Sequence, residues 1–259
     1  MESIEMSSIT AAGNLDYNIV TFSWDLLDVC NYKCSYCSAK EFNKHTFIGN
    51  KLYLNAWKQV IKLLNMHRLR TEFTLELLGG EPSLHPDIVE IINKVCRIEN
   101  CRQIELTTNL SKSESFFRSL DIHDNNKLDI VASYHPEYYK ETFFNKIVNL
   151  QSCDYITVTP LINLSPDKNT WSKTTDLIHK FIDNGVSVGC NLLHEFPGND
   201  FKPVYTTEFW DIFEPLIKKY EIDEGIQLSK RERLTPEVVC EYHANPMPEQ
   251  SSAFLSTHR

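Results

Sequence analysis

No apolar run in this sequence approaches the ~20 residues that a membrane-spanning helix needs. Nor does it hold a block of Lys and Arg long enough to form a phosphate-binding stripe, and 26 basic against 35 acidic residues leave a formal charge of -9. Because neutralised phosphates dominate nucleic-acid affinity, nucleic acid is disfavoured as a partner. The stretch from Met1 to Asn14 is polar, carries Glu2 and Glu5, and lacks the basic region and apolar core of a signal peptide. No side-chain signature recurs at a fixed period, which excludes a solenoid. The eight cysteines lack the layout of a secreted disulfide scaffold: Cys96, Cys101, Cys153, Cys190 and Cys240 are scattered along a large chain. A reduced, cytoplasmic protein is the expectation.

What is present is an ordinary globular balance, 42% hydrophobic and 24% charged over 259 residues. That is enough chain for one large α/β domain or two small ones. Asn18 to Leu27 is rich in β-branched and aromatic residues and reads as a buried strand. Leu54, Trp57, Ile61 and Leu64 then fall at helical spacing. The alternation repeats, with strands expected at Glu72–Leu78, Gln103–Thr108, Leu128–Tyr134, Asp154–Ile162 and Val186–Leu193. Helices are expected near Pro86–Arg97, Ser113–Leu120, Glu141–Leu150, Trp171–Asp183 and Thr206–Tyr220. Strands alternating with helices predict a parallel sheet with right-handed crossovers, and six units are two short of a closed eightfold barrel. The fold class is therefore α/β, with six parallel strands each followed by a helix. Residues 1–17 read as a lead-in, 18–222 as the barrel domain, and 223–259, with three prolines and no long periodic run, as a tail that covers the barrel or frays.

The chemistry concentrates where strands end, which is where parallel α/β folds gather their functional groups. Cys30, Cys34 and Cys37 lie within eight residues after the first strand. Three thiolates can hold three irons of a four-iron cluster and leave the fourth iron open. A closed zinc site with His45 as fourth ligand is the plainer alternative. The second strand ends in Gly79-Gly80-Glu81-Pro82, where two glycines let the backbone approach a ligand without a Cβ in the way; a simple turn would use the same residues.

Together the C-x3-C-x2-C loop and the Gly-Gly-Glu-Pro turn resemble the signature of the radical S-adenosylmethionine (radical SAM) family over about residues 18 to 195. The resemblance implies a partial (β/α)6 barrel of parallel strands open on one side, which the count of six units matches, a [4Fe-4S] cluster on Cys30, Cys34 and Cys37, and S-adenosyl-L-methionine chelating the open iron. It implies that a reduced cluster passes one electron to the sulfonium, giving a 5′-deoxyadenosyl radical that takes a hydrogen atom from substrate. The electron comes from a donor such as flavodoxin or ferredoxin. The cofactor would be held by Gly79, Gly80, Glu81 and Pro82, whose carbonyls and carboxylate suit its ammonium group, and by Tyr36, Asn109, Ser133, Asn191 and His194. Glu81, His135 and Cys190 are the candidate catalytic groups: His135 as an acid, base or donor toward substrate, Cys190 as a hydrogen-atom donor. Bland roles compete for several of these, Asn109 as a turn residue, His135 held by neighbouring backbone and Cys190 as a small buried thiol. His85 reads as structural. The compact size and the absence of a second cysteine group favour a small-molecule substrate of the sugar or nucleotide class. A peptide or protein substrate is the alternative, and a zinc-bound interaction module the non-enzymatic one.

Overall fold

The computed structural model describes residues 9–13, 19–27, 29–37, 51–66, 72–120, 128–153, 156–195, 200–220 and 223–224. Nine-residue strand β2 (Ile19–Leu27) is followed by helix α1 (Lys51–Met66). Then come β3 (Glu72–Gly79), α2 (Ile88–Cys96), β4 (Cys101–Thr108), α3 (Glu114–Arg118) and β5 (Leu128–Tyr134). The series continues with α4 (Glu141–Leu150), β6 (Ile156–Leu164), α5 (Lys168–Asp183), β7 (Gly189–Leu192) and α6 (Thr207–Lys219). Each of these six strands has its helix, as the alternation predicted. They pair in sequence order and in parallel. The sheet is flanked by β1 (Ile9–Gly13), antiparallel to β2, and by β8 (Asp223–Glu224), parallel to β7. The order runs linearly from β1 to β8, so the barrel is open.

The lead-in thus contains a strand: Ile9 pairs with Trp24 and Gly13 with Val20. Its weak β pattern gains a partner only because β2 has an unpaired edge there. β7 is shorter than its apolar run suggests, since pairing with β6 begins only at Leu161 opposite Gly189; Val186 and Val188 are buried outside the ladder. Residues 225–259 and His45 lie outside the described residues, and no described helix is long and apolar enough to cross a membrane.

Burial alternates along the whole of β5 and along β3 as far as Leu78. One face, with Phe73, Leu75 and Leu77 on β3, Ile104 and Leu106 on β4, and Leu128, Ile130 and Ala132 on β5, packs against the helices as one continuous core. The other face carries Thr74 and Glu76, Gln103 and Glu105, Asp129 and Ser133, all partly exposed. A sheet covered on both faces would read as unbroken apolar runs; alternation marks a sheet whose inner face stays wet. Trp57 secures the first helix to the second, its indole N–H donating to the Asp87 carboxylate at 2.9 Å.

Candidate active site

The cysteine loop leaves β2 and is held first by the turn after β3. Gly79 has φ +116°, and a Cβ placed on it would stand 2.2 Å from the Leu27 carbonyl oxygen. Only glycine fits there. That close approach lets the Gly80 N–H donate to Leu27 O at 2.5 Å and the Glu81 N–H to Val29 O at 2.9 Å. The Gly-Gly turn is thereby bonded to the backbone that runs into Cys30.

Glu81 is 1% exposed. One carboxylate oxygen accepts from the Thr108 hydroxyl at 2.6 Å and the Ser83 N–H at 3.1 Å, and the other from the Asn109 N–H at 2.7 Å. The side chain therefore ties the end of β3 to the end of β4. Asn109 in turn donates its amide N–H to Asn31 Oδ1 at 2.9 Å and lies 3.7 Å from Cys30 Sγ. Its Nδ2 thus points at the cysteine loop, while its Oδ1 accepts from the Ser111 N–H at 3.0 Å, the turn role open to it from sequence.

Cys34 is buried, while Cys30 and Cys37 are partly exposed. Burial pushes the Cys30 thiol up, against the Tyr32 backbone N–H that bonds its sulfur at 3.3 Å. Cys34 is pushed up to about 12, chiefly by burial, with the Tyr36 hydroxyl pulling the other way and Glu137 and the other two thiols adding to the rise. Ionising Cys30 or Cys34 is costly until a cation shares the loop.

The loop after β5 grips the cysteine loop from the opposite side. Glu137 accepts from the Ser35 N–H at 3.0 and 3.2 Å and from its hydroxyl. The Lys33 N–H donates to the Tyr138 hydroxyl at 2.8 Å, and Tyr138 stacks on Tyr32 with ring centroids 4.2 Å apart. His135 Nδ1 is 3.1 Å from the Tyr36 hydroxyl and 3.5 Å from Cys34 Sγ. Burial lowers the His135 pKa to about 4, with Glu137 opposing, so the imidazole is neutral at physiological pH. A second small apolar cluster of Cys34, Tyr36 and Leu193, with Phe201 and Tyr138 against it, joins the loop to the end of β7.

The strand ends therefore bring together Cys30, Cys34, Cys37, Tyr36, Gly79, Gly80, Glu81, Pro82, Asn109 and His135. Ser133 is on the inner face of β5, and Asn191 is on the inner face of β7 opposite Asn163. His194 follows β7 and is partly exposed. Cys190 is elsewhere: it pairs with Ile162, is 3% exposed and belongs to the helix-side core. The strand ends do not bring it together with the cysteine loop; its thiol is packed among apolar side chains. Missed from sequence were Glu137 and Tyr138, because their role depends on a contact some hundred residues away. Their position directly after a strand end was the available signal.

Beside the loop is a cavity of about 260 Å³ straddling the end of β5, bounded by Asn31, Tyr32, Ser111, Tyr138, Lys140 and Lys146 among others. Its floor includes Leu110, whose φ of 54° is in the left-handed region, a conformation unusual for a residue with a branched side chain.

An open parallel half-barrel with a thiol loop and a glycine turn at its carboxyl end defines a class of cofactor-dependent α/β enzymes. The Radical SAM superfamily matches residues 25–208, and the chain belongs to it. It is an enzyme of a family that uses a [4Fe-4S] cluster and S-adenosylmethionine. It is 33% identical over 85 residues to the GTP 3′,8-cyclase of Cyanothece sp., a match covering 32% of this chain and 25% of that protein. Human molybdenum cofactor biosynthesis protein 1 is 32% identical over 84 residues, 32% of this chain and 13% of that protein. The matched stretch thus spans about a quarter of the first of these relatives and less of the second. In fold the chain is similar to Streptococcus suis SuiB bound to S-adenosylmethionine, with TM-score 0.59 and 15% identity over 86% of this chain and 54% of that one. SuiB bound to its precursor peptide SuiA gives TM-score 0.60 and 13% identity over 85% and 51%.

Proposed function

We propose that this enzyme cleaves S-adenosylmethionine reductively to abstract hydrogen from a small-molecule substrate of the sugar or nucleotide class. The observation that carries this reading is the bonding of the Gly79-Gly80 turn to the backbone entering Cys30. It sets three thiols beside a turn whose carbonyls can accept from an ammonium group. When bound, the cluster and S-adenosylmethionine supply a 5′-deoxyadenosyl radical.

Cys30, Cys34 and Cys37 would hold the cluster. Each of the three thiolates would bind a separate iron, leaving the fourth without a protein ligand. Gly79 and Gly80 would bind the cofactor's amino end through backbone, and Glu81 would act by fixing that backbone, its oxygens being engaged by Thr108, Ser83 and Asn109. Tyr36 and His135 would pack the loop and keep water from the cluster, with His135 as a positioning residue. Ser133, Asn191 and, after β7, His194 would line the cofactor's path across the barrel mouth. A one-electron reductant completes the system. Similarity to the GTP 3′,8-cyclases supports a nucleotide-type substrate; similarity in fold to a peptide-bound protein supports a peptide as the second reading.

Anaerobic reconstitution with iron and sulfide, reduction and addition of S-adenosylmethionine should yield 5′-deoxyadenosine on chromatography. Each single Cys→Ala variant at positions 30, 34 and 37 should lose the brown chromophore and this product. Full activity in all three variants would overturn the assignment.

A further inference from the structure

Asn109 is 5% exposed, and contacts that do not involve sulfur fix its side chain. Its Oδ1 accepts from the Ser111 N–H at 3.0 Å, and its Nδ2 donates to Asn31 Oδ1 at 2.9 Å. The Glu81 carboxylate holds its backbone N–H at 2.7 Å. The side-chain amide cannot be turned over, because a backbone N–H only donates and a flipped amide would set Nδ2 against that of Ser111. One Nδ2 proton is therefore left for Cys30, whose Sγ lies 3.7 Å away. The same sulfur receives the Tyr32 backbone N–H at 3.3 Å. Beside Cys34 the neighbouring ring nitrogen is His135 Nδ1 at 3.5 Å, and an imidazole nitrogen donates or accepts according to its tautomer. Asn109 has no such freedom: the fold itself decides that it presents a donor to a cysteine sulfur.

We infer that Asn109 raises the reduction potential of the cluster by donating an N–H hydrogen bond to the Cys30 thiolate. On reduction the cluster takes one electron from the one-electron reductant; no bond to Asn109 forms or breaks, and the proton stays on its amide. The added negative charge is shared by the sulfurs, so a donor aimed at one of them stabilises the reduced state more than the oxidised one. Burial of the Asn109 side chain strengthens the effect, since a hydrogen bond is electrostatically stronger where the local dielectric is low. The amide is anchored by Ser111, Asn31 and Glu81, so it stands in place without the sulfur and need not reorganise when the electron arrives. The inference rests on the cluster assignment above and gives Asn109 a role in how readily that cluster is reduced.

The test is a potentiometric titration of the reconstituted protein without S-adenosylmethionine, followed by electron paramagnetic resonance of the reduced cluster. Asn109→Leu keeps the branched outline of the side chain and removes the donor. Its ratio of reduced to oxidised cluster at a fixed poise should fall about tenfold, a drop of about 59 mV in the midpoint of a one-electron couple. Asn109→Asp keeps the acceptor for Ser111 and turns a carboxylate oxygen toward the sulfur, so its midpoint should fall further. An unchanged or raised midpoint in the variants overturns the inference. If neither variant loads iron, the wild type decides: with heavy nitrogen placed only in asparagine side-chain amides, the reduced cluster should show a hyperfine coupling to that nitrogen, and its absence overturns the inference equally. Formation of 5′-deoxyadenosine plays no part in either readout. A lowered midpoint in variants of a protein that leaves S-adenosylmethionine intact would refute the proposed function and leave this inference standing; cleavage with an unmoved midpoint would do the reverse.

Discussion

Gly79 and Glu81 are separated by one residue and act by different physics. Gly79 is needed for space, because its neighbour across the gap is backbone that cannot rotate away. Gly79→Ala should cost about 2–4 kcal/mol from the forced contact and the positive φ, read as a fall in the denaturant midpoint. Glu81 is needed for its charge and acceptors. Glu81→Gln replaces one oxygen of a buried carboxylate with a donor, so an N–H or hydroxyl that now donates to it faces another donor. A loss of about 1–3 kcal/mol is expected, with loosening of the Thr108–Asn109 corner visible as faster amide exchange at Asn109.

At the scale of elements, two loops hold the thiols from opposite sides: the glycine turn bonds the backbone before Cys30, and the loop after β5 bonds the backbone at Lys33 and Ser35. The clamp depends on β5 ending at Tyr134, where Asn163 of β6 donates to the Tyr134 carbonyl at 2.9 Å. β6 and β7 are tied beyond their ends by Tyr205, whose hydroxyl reaches Leu164 O at 2.9 Å and accepts from the Leu193 N–H at 2.7 Å. Since Glu137 is exposed, its removal should barely change global stability, within about 1 kcal/mol. Its effect belongs to the loop: Glu137→Ala should make a reconstituted cluster lose iron to a chelator about tenfold faster, as outer contacts orient metal ligands. Unchanged loss would show that the Ser35 contacts do not hold the loop.

Across the whole molecule, parallel register sets Glu76, Glu105 and Asp129 side by side on three adjacent strands, about 4.8 Å between strands. The outer two have donors: Ser23 to Glu76 at 2.5 Å and Gln103 to Asp129. Burial, then Glu76 and Asp129, raise the Glu105 pKa above its ordinary value. A carboxyl that holds its proton more tightly when folded stabilises the fold below the unfolded pKa and loses that contribution as pH rises through the folded one. Glu105→Gln should therefore melt higher than wild type at pH 8, with the gap closing toward pH 4, in calorimetric scans. A constant gap across that range would remove the row's like-charge repulsion as its cause.

Much of this architecture could be read along the chain, because the information was local. Period-two strands alternating with helical runs define six βα units, and the spacing of Cys30, Cys34 and Cys37 and the Gly79-Gly80 pair are short enough to need no partner to be recognised. Everything that depends on a distant contact was hidden. The strand at Ile9–Gly13 exists through β2, Cys190 is turned to the helix side by its register with Ile162, and Asn109 is turned to Cys30 by the corner that Glu81 holds. The cavity beside the cysteine loop is of the same kind, since Lys140 and Lys146 meet Asn31 and Tyr32 only when β5 delivers its loop to the barrel mouth. Sequence determined which groups reach the strand ends; tertiary structure decided which way each side chain faces, because in a sheet that choice is made by register and not by the residue itself.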